Sequence, residues 1–318
     1  MPIWHRKRYL TVRFAGELAT QETMKEIRSR MRIPILSAFA MIAFAANSVI
    51  ARLALINHGV DPGTFTLIRL LSGALVLVLI VRFSSKDHAQ NWSGVGSWTS
   101  AVLLLSYATT FSYAYVTLGA ATGALVLFGV VQTVMFSAAL RSGERLGIGG
   151  VTGLVLALTG LIILVGPGLS RPDPLGALLM TIAGVSWAGY TLRGRGVARP
   201  VRVTAGNFLR SSPLALALWL VLAIFHGHSL HLTFKGLLLA LLSGAVTSGL
   251  GYALWYTVLP SLTRSQSGII QLAPAPLATV GALLLLSEPI STKLILASFL
   301  VLGGVLIGVL RRRTEANK

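Results

Sequence analysis

Eight side chains in an otherwise apolar chain have the chemistry to hold a small solute: Asn47, Tyr107, Gln132, Trp187, Tyr190, Tyr252, Trp255 and Gln271. Each falls inside a long hydrophobic run, where an amide or ring hydroxyl needs a partner that hydrocarbon cannot supply. Facing protein or water, they would line a pocket suited to a mostly apolar or aromatic solute. The alternatives are helix-to-helix hydrogen bonds for the amides and interfacial aromatic belts for the rings, the latter weighing most on Trp187 and Tyr190 near the end of their run.

Two arginines, Arg69 in FTLIRLLS and Arg210 in GNFLRSSP, stand several residues inside such runs. Either each reaches back to headgroups or a neighbouring helix end, or it lies beside the solute path and attracts anions. Pro274 and Pro276 in QLAPAPLATVG each remove a backbone donor. They are expected to kink or unwind their run, freeing carbonyls toward a cavity unless the kink serves packing alone. All nine acids lie outside the runs: Glu17, Glu22 and Glu26 in the leader, Asp61, Asp87 and Asp173 in loops, Glu315 in the tail, Glu144 and Glu288 at run ends. A proton or sodium relay through buried carboxylates is hard to build from that distribution, and the aspartate-rich magnesium sites of membrane prenyl transferases are missing. Glu144 and Glu288 are expected to favour the N-termini of the helices that follow them, with Pro289 in a first turn. Arg69, Arg210, Pro274, Pro276, Glu144 and Glu288 are thus read as gating or structural residues. His226, His228 and His231 are close in sequence but lack acid or cysteine neighbours, so neither metal nor cofactor is expected. The absence of cysteine excludes disulfides, thiolate metal sites and thiol nucleophiles.

The elements that position these groups are helices in a bilayer. The 318-residue chain is 54% hydrophobic and 11% charged, with a mean hydropathy of +0.77, which is too apolar for one aqueous core. Ten runs are long enough to cross: 34–56, 64–82, 97–115, 119–140, 147–166, 174–193, 204–225, 235–257, 264–286 and 291–310. Each is about 20 residues long and lacks the alternation of a barrel strand, so helices are the assignment. A net charge of +18 would suggest nucleic acid in a soluble protein, but the basic residues here sit between runs, where they orient the chain. With the N-terminus inside, inner connections carry 21 Lys and Arg and outer ones four, namely Arg52, Arg171, Lys235 and Lys293. Both termini are therefore expected in the cytoplasm.

The segment Phe111–Val165 returns 144 residues later as Trp255–Val309. Each copy has an apolar run, a polar break with one glutamate (SGERLG, SEPIST), and a second run with Gly160 or Gly304 near its end. Farther upstream Arg69 pairs with Arg210, and Phe44-Ala-Ala-Asn47 with Trp187-Ala-Gly-Tyr190. Five helices per copy is an odd number, so the second copy enters the membrane inverted. The expected organisation is all-α, ten transmembrane helices as two inverted five-helix repeats. A basic N-terminal segment occupies 1–32, the repeats 33–166 and 174–310, and a basic tail 311–318.

The GERL and SEPI breaks, the arginine of IRLLSGALVL, the aromatic steps FSYAYVTLGAA and YALWYTVLPSL, and the prolines of the ninth run together resemble the drug/metabolite transporter superfamily, specifically its EamA-like members. The resemblance covers about Ile33 to Arg313, with Phe44 standing where a Trp is common and no proline matching Pro276 in the fourth run. It implies a secondary transporter of the bacterial inner membrane, not an enzyme, that exports or exchanges a small organic metabolite, an amino acid or similar. The partners implied are that solute and the lipid bilayer. The alternatives are a channel or scaffold, or a membrane-embedded transferase.

Overall fold

The computed structural model describes residues 31–56, 59–84, 92, 94–143, 147–165, 172–225, 231–288 and 291–315. Ten helical rods follow one another among them: α1 Met31–Leu55, α2 Pro62–Ser84, α3 Trp98–Thr117, α4 Ala120–Arg141, α5 Ile148–Val165, α6 Pro174–Arg193, α7 Pro200–Phe225, α8 Phe234–Ser261, α9 Arg264–Leu286 and α10 Thr292–Glu315. The described residues hold no strand, only one antiparallel bridge between Val60 and Leu232. Seven of the rods, α1, α2, α4, α6, α7, α8 and α9, are long and apolar enough to cross a membrane.

The distribution of side chains is that of a protein dissolved in lipid. Leu71, Leu75, Leu79 and Phe83 form an exposed stripe at a spacing of four on α2, and Leu216, Leu220 and Ile224 do so on α7. In water such stripes would drive association; against acyl chains they are the solvated face. Polar groups turn inward instead, with Asn47, Ser48, Arg69, Ser112, Gln132, Ser243, Thr247, Ser248 and Gln271 all buried.

Six helix starts satisfy a free N–H group with a side chain close by in sequence. Asp61 accepts from Thr64 N at 2.8 Å, with Pro62 in the first turn, and Asp173 does the same for Gly176 N at 2.6 Å, with Pro174 following. Ser97, Thr233 and Ser291 cap α3, α8 and α10, and Thr263 with Gln266 forms a reciprocal capping box on α9. At α4 the preceding residue, Gly119, has no side chain to offer. Its cap arrives from far along the chain: Glu288 accepts from Ala120 N at 2.8 Å and 3.1 Å. This corrects the expectation for Glu288, which serves α4 rather than the helix that follows it, because Ser291 already caps α10. Glu144 lies outside the described residues.

Two rods are irregular where they meet the middle of the bundle. In α8 the stretch Ser243–Leu250 is a π-helix, whose wider turns rotate Ser243 and Thr247 toward α1 and Ser248 and Tyr252 toward α2. In α9 the helix halts at Ile270, passes through a turn at residues 271–273 and restarts at Pro274. The Leu272 and Ala273 N–H groups fall back on carbonyls three residues behind.

Packing runs α3 on α6 and α7, α2 on α7 and on the π-section of α8, α4 on α6 and on both halves of α9, and α5 along α10. The α2–α8 contact depends on Gly244, where a Cβ would fall on the Arg69 carbonyl and the Ser72 hydroxyl. Gly244→Ala is therefore expected to destabilise the bundle by about 1–3 kcal/mol through overpacking, lowering the thermal midpoint in detergent. Gly303→Ala, with open space around its added carbon, is the control and should leave the midpoint unchanged.

Candidate functional site

The largest buried rings of the protein collect at one place. Trp187 on α6 is at the centre, with ring centroids of Phe44 at 5.4 Å, Tyr107 at 5.1 Å, Tyr190 at 5.8 Å and Tyr252 at 4.8 Å. From there the cluster extends through Phe111 and Tyr115 along α3, through Trp255 and Tyr256 along α8, and to Phe208 on α7. Edge-to-face pairs dominate, including Phe44 against Trp187 at 87° and Phe44 against Tyr252 at 84°. Such pairs contribute about 0.5–1.5 kcal/mol each beyond their buried area.

Into this cluster α2 sends Arg69, whose residue is 1% exposed. Its Nε donates to Ser248 Oγ at 2.9 Å, and its Nη2 donates to the hydroxyls of Tyr107 at 3.1 Å and Tyr252 at 3.4 Å. The guanidinium carbon lies 5.1 Å from the Tyr107 ring centre and 4.8 Å from that of Phe111. Arg69 therefore does not snorkel to a headgroup; its long stem is directed into the bundle. Its Nη1 has no hydrogen-bond partner among the described residues.

The amides divide between fastening helices and facing the rings. Asn47 Oδ1 accepts from Ser243 Oγ at 2.7 Å and Thr247 Oγ1 at 2.9 Å, binding α1 to the π-section. Gln271, at the break in α9, accepts from Trp187 Nε1 at 2.6 Å and donates to the Ser267 carbonyl at 3.0 Å. Gln132 on α4 is buried beside Gly268 of α9, with its Oε1 unpartnered among the described residues. Trp255 Nε1 is likewise buried without a partner among the described residues. Tyr190 accepts from Asn207 Nδ2 at 3.4 Å.

Of the eight residues singled out in the sequence, the structure thus brings Tyr107, Trp187, Tyr190, Tyr252 and Trp255 into one ring cluster. Gln271 is attached to it, Asn47 lies one turn from Phe44, and Gln132 stands at the α4–α9 contact. Burial separates all the rings from an interfacial belt. Arg210 is elsewhere: half-buried, its Nη1 only 3.5 Å from the Gly206 carbonyl and its guanidinium 5.8 Å over the Trp98 ring. Sequence reasoning missed Phe111, Tyr115, Phe208, Tyr256 and Ser248. The spacing of Tyr107, Phe111 and Tyr115, and of Ser248, Tyr252 and Tyr256, at every fourth residue was the signal that each set shares one helix face.

Cavities open at the two ends of the bundle. One, of about 670 Å³, lies among Asp61, Pro62, Tyr113, Thr117, Asp173 and His231, large enough for a small metabolite. The other, about 440 Å³, lies among Ser142, Arg195, Pro260 and Thr263. Near the first, Arg52 forms an ion pair with Glu288 at 3.3 Å and donates to the carbonyls of Tyr115 at 2.8 Å and Val116 at 2.9 Å. Four helix ends are fastened there by two side chains.

Comparison with known proteins follows from this geometry. Residues 174–310 match the EamA-like transporter family. An uncharacterized protein of Pseudomonas aeruginosa is 48% identical over 274 residues, covering 86% of this chain and 93% of its own length. The uncharacterized transporter YwfM of Bacillus subtilis is 28% identical over 286 residues, covering 87% and 94%. The uncharacterized transporter YoaV of the same organism is 23% identical over 256 residues, covering 78% and 87%. One solved crystal structure superimposes with a TM-score of 0.67 at 20% identity, covering 89% of this chain and 98% of that one, and speaks for the fold alone.

The Trp187–Gln271 bond supplies a direct test of how tightly the cluster is tied to the α9 break. Gln271→Leu strands a buried indole donor and should cost about 1–3 kcal/mol, while Trp187→Phe with Gln271→Leu should cost clearly less than the sum of the single changes. Thermal unfolding of the three variants in detergent measures this; strictly additive losses would separate the two residues.

Proposed function

This chain belongs to the EamA-like transporter family, and from that premise we propose that it is a secondary transporter, not an enzyme, which exports or exchanges a small organic metabolite by alternating access. The solute is an amino acid or a similar molecule with an aromatic or apolar body. The observation that carries this reading is the ring cluster, in which Phe44 and Trp187, 143 residues apart in the chain, meet edge to face at 5.4 Å. A site shared by equivalent positions of two repeats is where inverted-repeat carriers hold their cargo.

The repeats are α1–α5 (33–166) and α6–α10 (174–310), ten spans in all, the second inverted relative to the first. Their support is a packing pattern that survives exchanging each helix with the one five places later. The contact of α3 with α6 has its counterpart in that of α8 with α1, and α3 with α7 in α8 with α2. The contact of α4 with α6 corresponds to that of α9 with α1, where Gly281 meets Val49. The pairs α2–α7, α4–α9 and α5–α10 map onto themselves. Side chains follow suit: Arg52 donates to the last carbonyls of α3, and Arg195, 143 residues on, donates to Leu262 O beyond the end of α8 at 2.6 Å.

In this reading the termini are cytoplasmic, the membrane is the bacterial inner membrane, and the larger cavity faces outward. The Arg52–Glu288 clasp holds the outer ends of the two repeats together, and Pro274 and Pro276 give α9 the break at which its halves move separately. The described carboxylates are at helix ends, which favours exchange or facilitated movement over proton coupling through a buried acid.

Reconstituted vesicles provide the functional test. A solute identified by screening an overexpressing host against toxic amino-acid analogues, cationic drugs and purine analogues should show saturable counterflow; flux that rises linearly with concentration would reject a carrier. Inversion is tested separately, since the chain has no cysteine. Ser142→Cys and Thr292→Cys, both at exposed positions, should react with an impermeant maleimide from opposite sides of the membrane, and labelling from one side would rule the inverted arrangement out.

A further inference from the structure

Arg69 presents a charge problem that the carrier reading leaves unsolved. Its hydrogen bonds go to three neutral hydroxyls, two aromatic faces share its field, and no described carboxylate pairs with it. The described acids are spoken for elsewhere: Asp61 and Asp173 cap their own helices, and Glu288 caps α4 beside Arg52. A buried cation without an anion is unfavourable, and proteins keep one where a ligand supplies the opposite charge. Its hydrogen-bond geometry supports the same conclusion. Ser248, Tyr107 and Tyr252 occupy Nε and Nη2, which fixes the guanidinium plane, and leaves Nη1 as a buried donor without a partner. Trp255 Nε1, on the same helix as Tyr252 and in the same ring cluster, is a second buried donor of this kind.

We propose that Arg69 is the anion-recognition residue of the solute site, so that the cargo is an aromatic or apolar carboxylate, amino acids included, whose carboxylate meets Nη1 while its body replaces ring contacts around Trp187. The inference rests on the carrier reading and narrows its substrate class. Solutes with the same ring but a neutral or cationic head lack the charge that compensates Arg69. A small inorganic anion shares the carboxylate's charge but cannot use the rings.

The test is equilibrium binding to the full chain in nanodiscs, read by titration calorimetry and ligand-induced thermal stabilisation. The probes are 3-phenylpropionate, its amide, 2-phenylethylamine and sodium chloride. In the wild-type protein the acid should bind about ten- to a hundred-fold more tightly than the amide, as expected of one charge-assisted hydrogen bond, and the amine more weakly than both. Arg69→Gln should remove the preference for acid over amide, and Arg69→Lys should restore part of it. A merely structural arginine predicts otherwise: Arg69→Met would then lower the midpoint of the ligand-free protein sharply. The present assignment expects that midpoint to hold or rise, because an uncompensated charge has been removed. Equal binding of acid and amide by the wild type, an acid preference that persists in Arg69→Gln, or a site filled by chloride that the acid cannot displace would each overturn the proposal. The wild-type series alone decides the matter if a variant fails to fold. Counterflow without acid preference would sink this inference and spare the carrier reading. Acid preference without counterflow would do the reverse.

Discussion

A guanidinium buried in the middle of a bundle that is surrounded by lipid constrains everything around it. Charge at that depth costs several kcal/mol or more unless it is hydrogen-bonded and electrostatically relieved, and the fold supplies hydrogen bonds and aromatic faces from two neighbouring helices but no carboxylate among the described residues. Ser248 and Tyr252 come from α8, Tyr107 and Phe111 from α3, and the arginine itself from α2. Ser248 and Tyr252 are four residues apart, so both reach one face only where α8 runs alongside α2. The π-section and the absence of a side chain at Gly244 make that approach possible. The irregular turns of α8 and the placement of Arg69 are thus two sides of the same solution.

A second constraint operates at the helix ends, where backbone groups without intrahelical partners cannot be left to hydrocarbon. Most helices here solve it with their own Ser, Thr or Asp. By contrast α4 borrows Glu288 from 168 residues along the chain, and Arg52 neutralises that carboxylate while tying off the carbonyls of α3. Distant segments are in this way joined by capping interactions in addition to the buried hydrophobic core. Contacts of that type are specific in direction but modest in strength, because a partly exposed ion pair is screened.

Much of the architecture was legible in the sequence because hydropathy is a one-dimensional signal. Runs of apolar residues announce helices whatever their partners, and most observed boundaries fall within a few residues of the expected ones. The gathering of Tyr107, Trp187, Tyr190 and Tyr252 was partly legible too, since a large polar ring in an apolar run must turn inward or lie at the interface. What the chain could not disclose was rotation about each helix axis. Whether Arg69 reaches a headgroup or the bundle centre depends on which face of α2 meets α8, and that is decided by Gly244 and the π-turn in a different helix. Nor could it disclose that Glu288 serves α4: the local rule assigns an acid to the helix that follows it, and the local rule lost to Ser291, a better-placed cap. Arg69 and Arg210 illustrate the limit most clearly, because the sequence comparison pairs them, yet they occupy a buried aromatic cluster and a half-exposed stacking site respectively.

The character of the contacts between the two halves of the chain bears on whether they can move. Hydrogen bonds between helices in a bilayer average only about 0.6 kcal/mol by double-mutant cycles, because polar groups find substitutes when one is broken. Edge-to-face rings behave similarly, since one aromatic surface can exchange for another with little loss. An interface composed of Asn47 with Ser243, Phe44 with Trp187 and Tyr252, and the Arg52–Glu288 pair is therefore a sum of small, replaceable terms. By contrast α5 and α10 lie along one another, with Gly160 of α5 letting the Ala297 backbone of α10 approach, and that apolar contact has no polar substitute to adopt. Motion should accordingly be least where α5 meets α10 and greatest across the ring cluster. That distribution of rigidity is what a carrier needs if its solute is to be released from the middle without the halves coming apart.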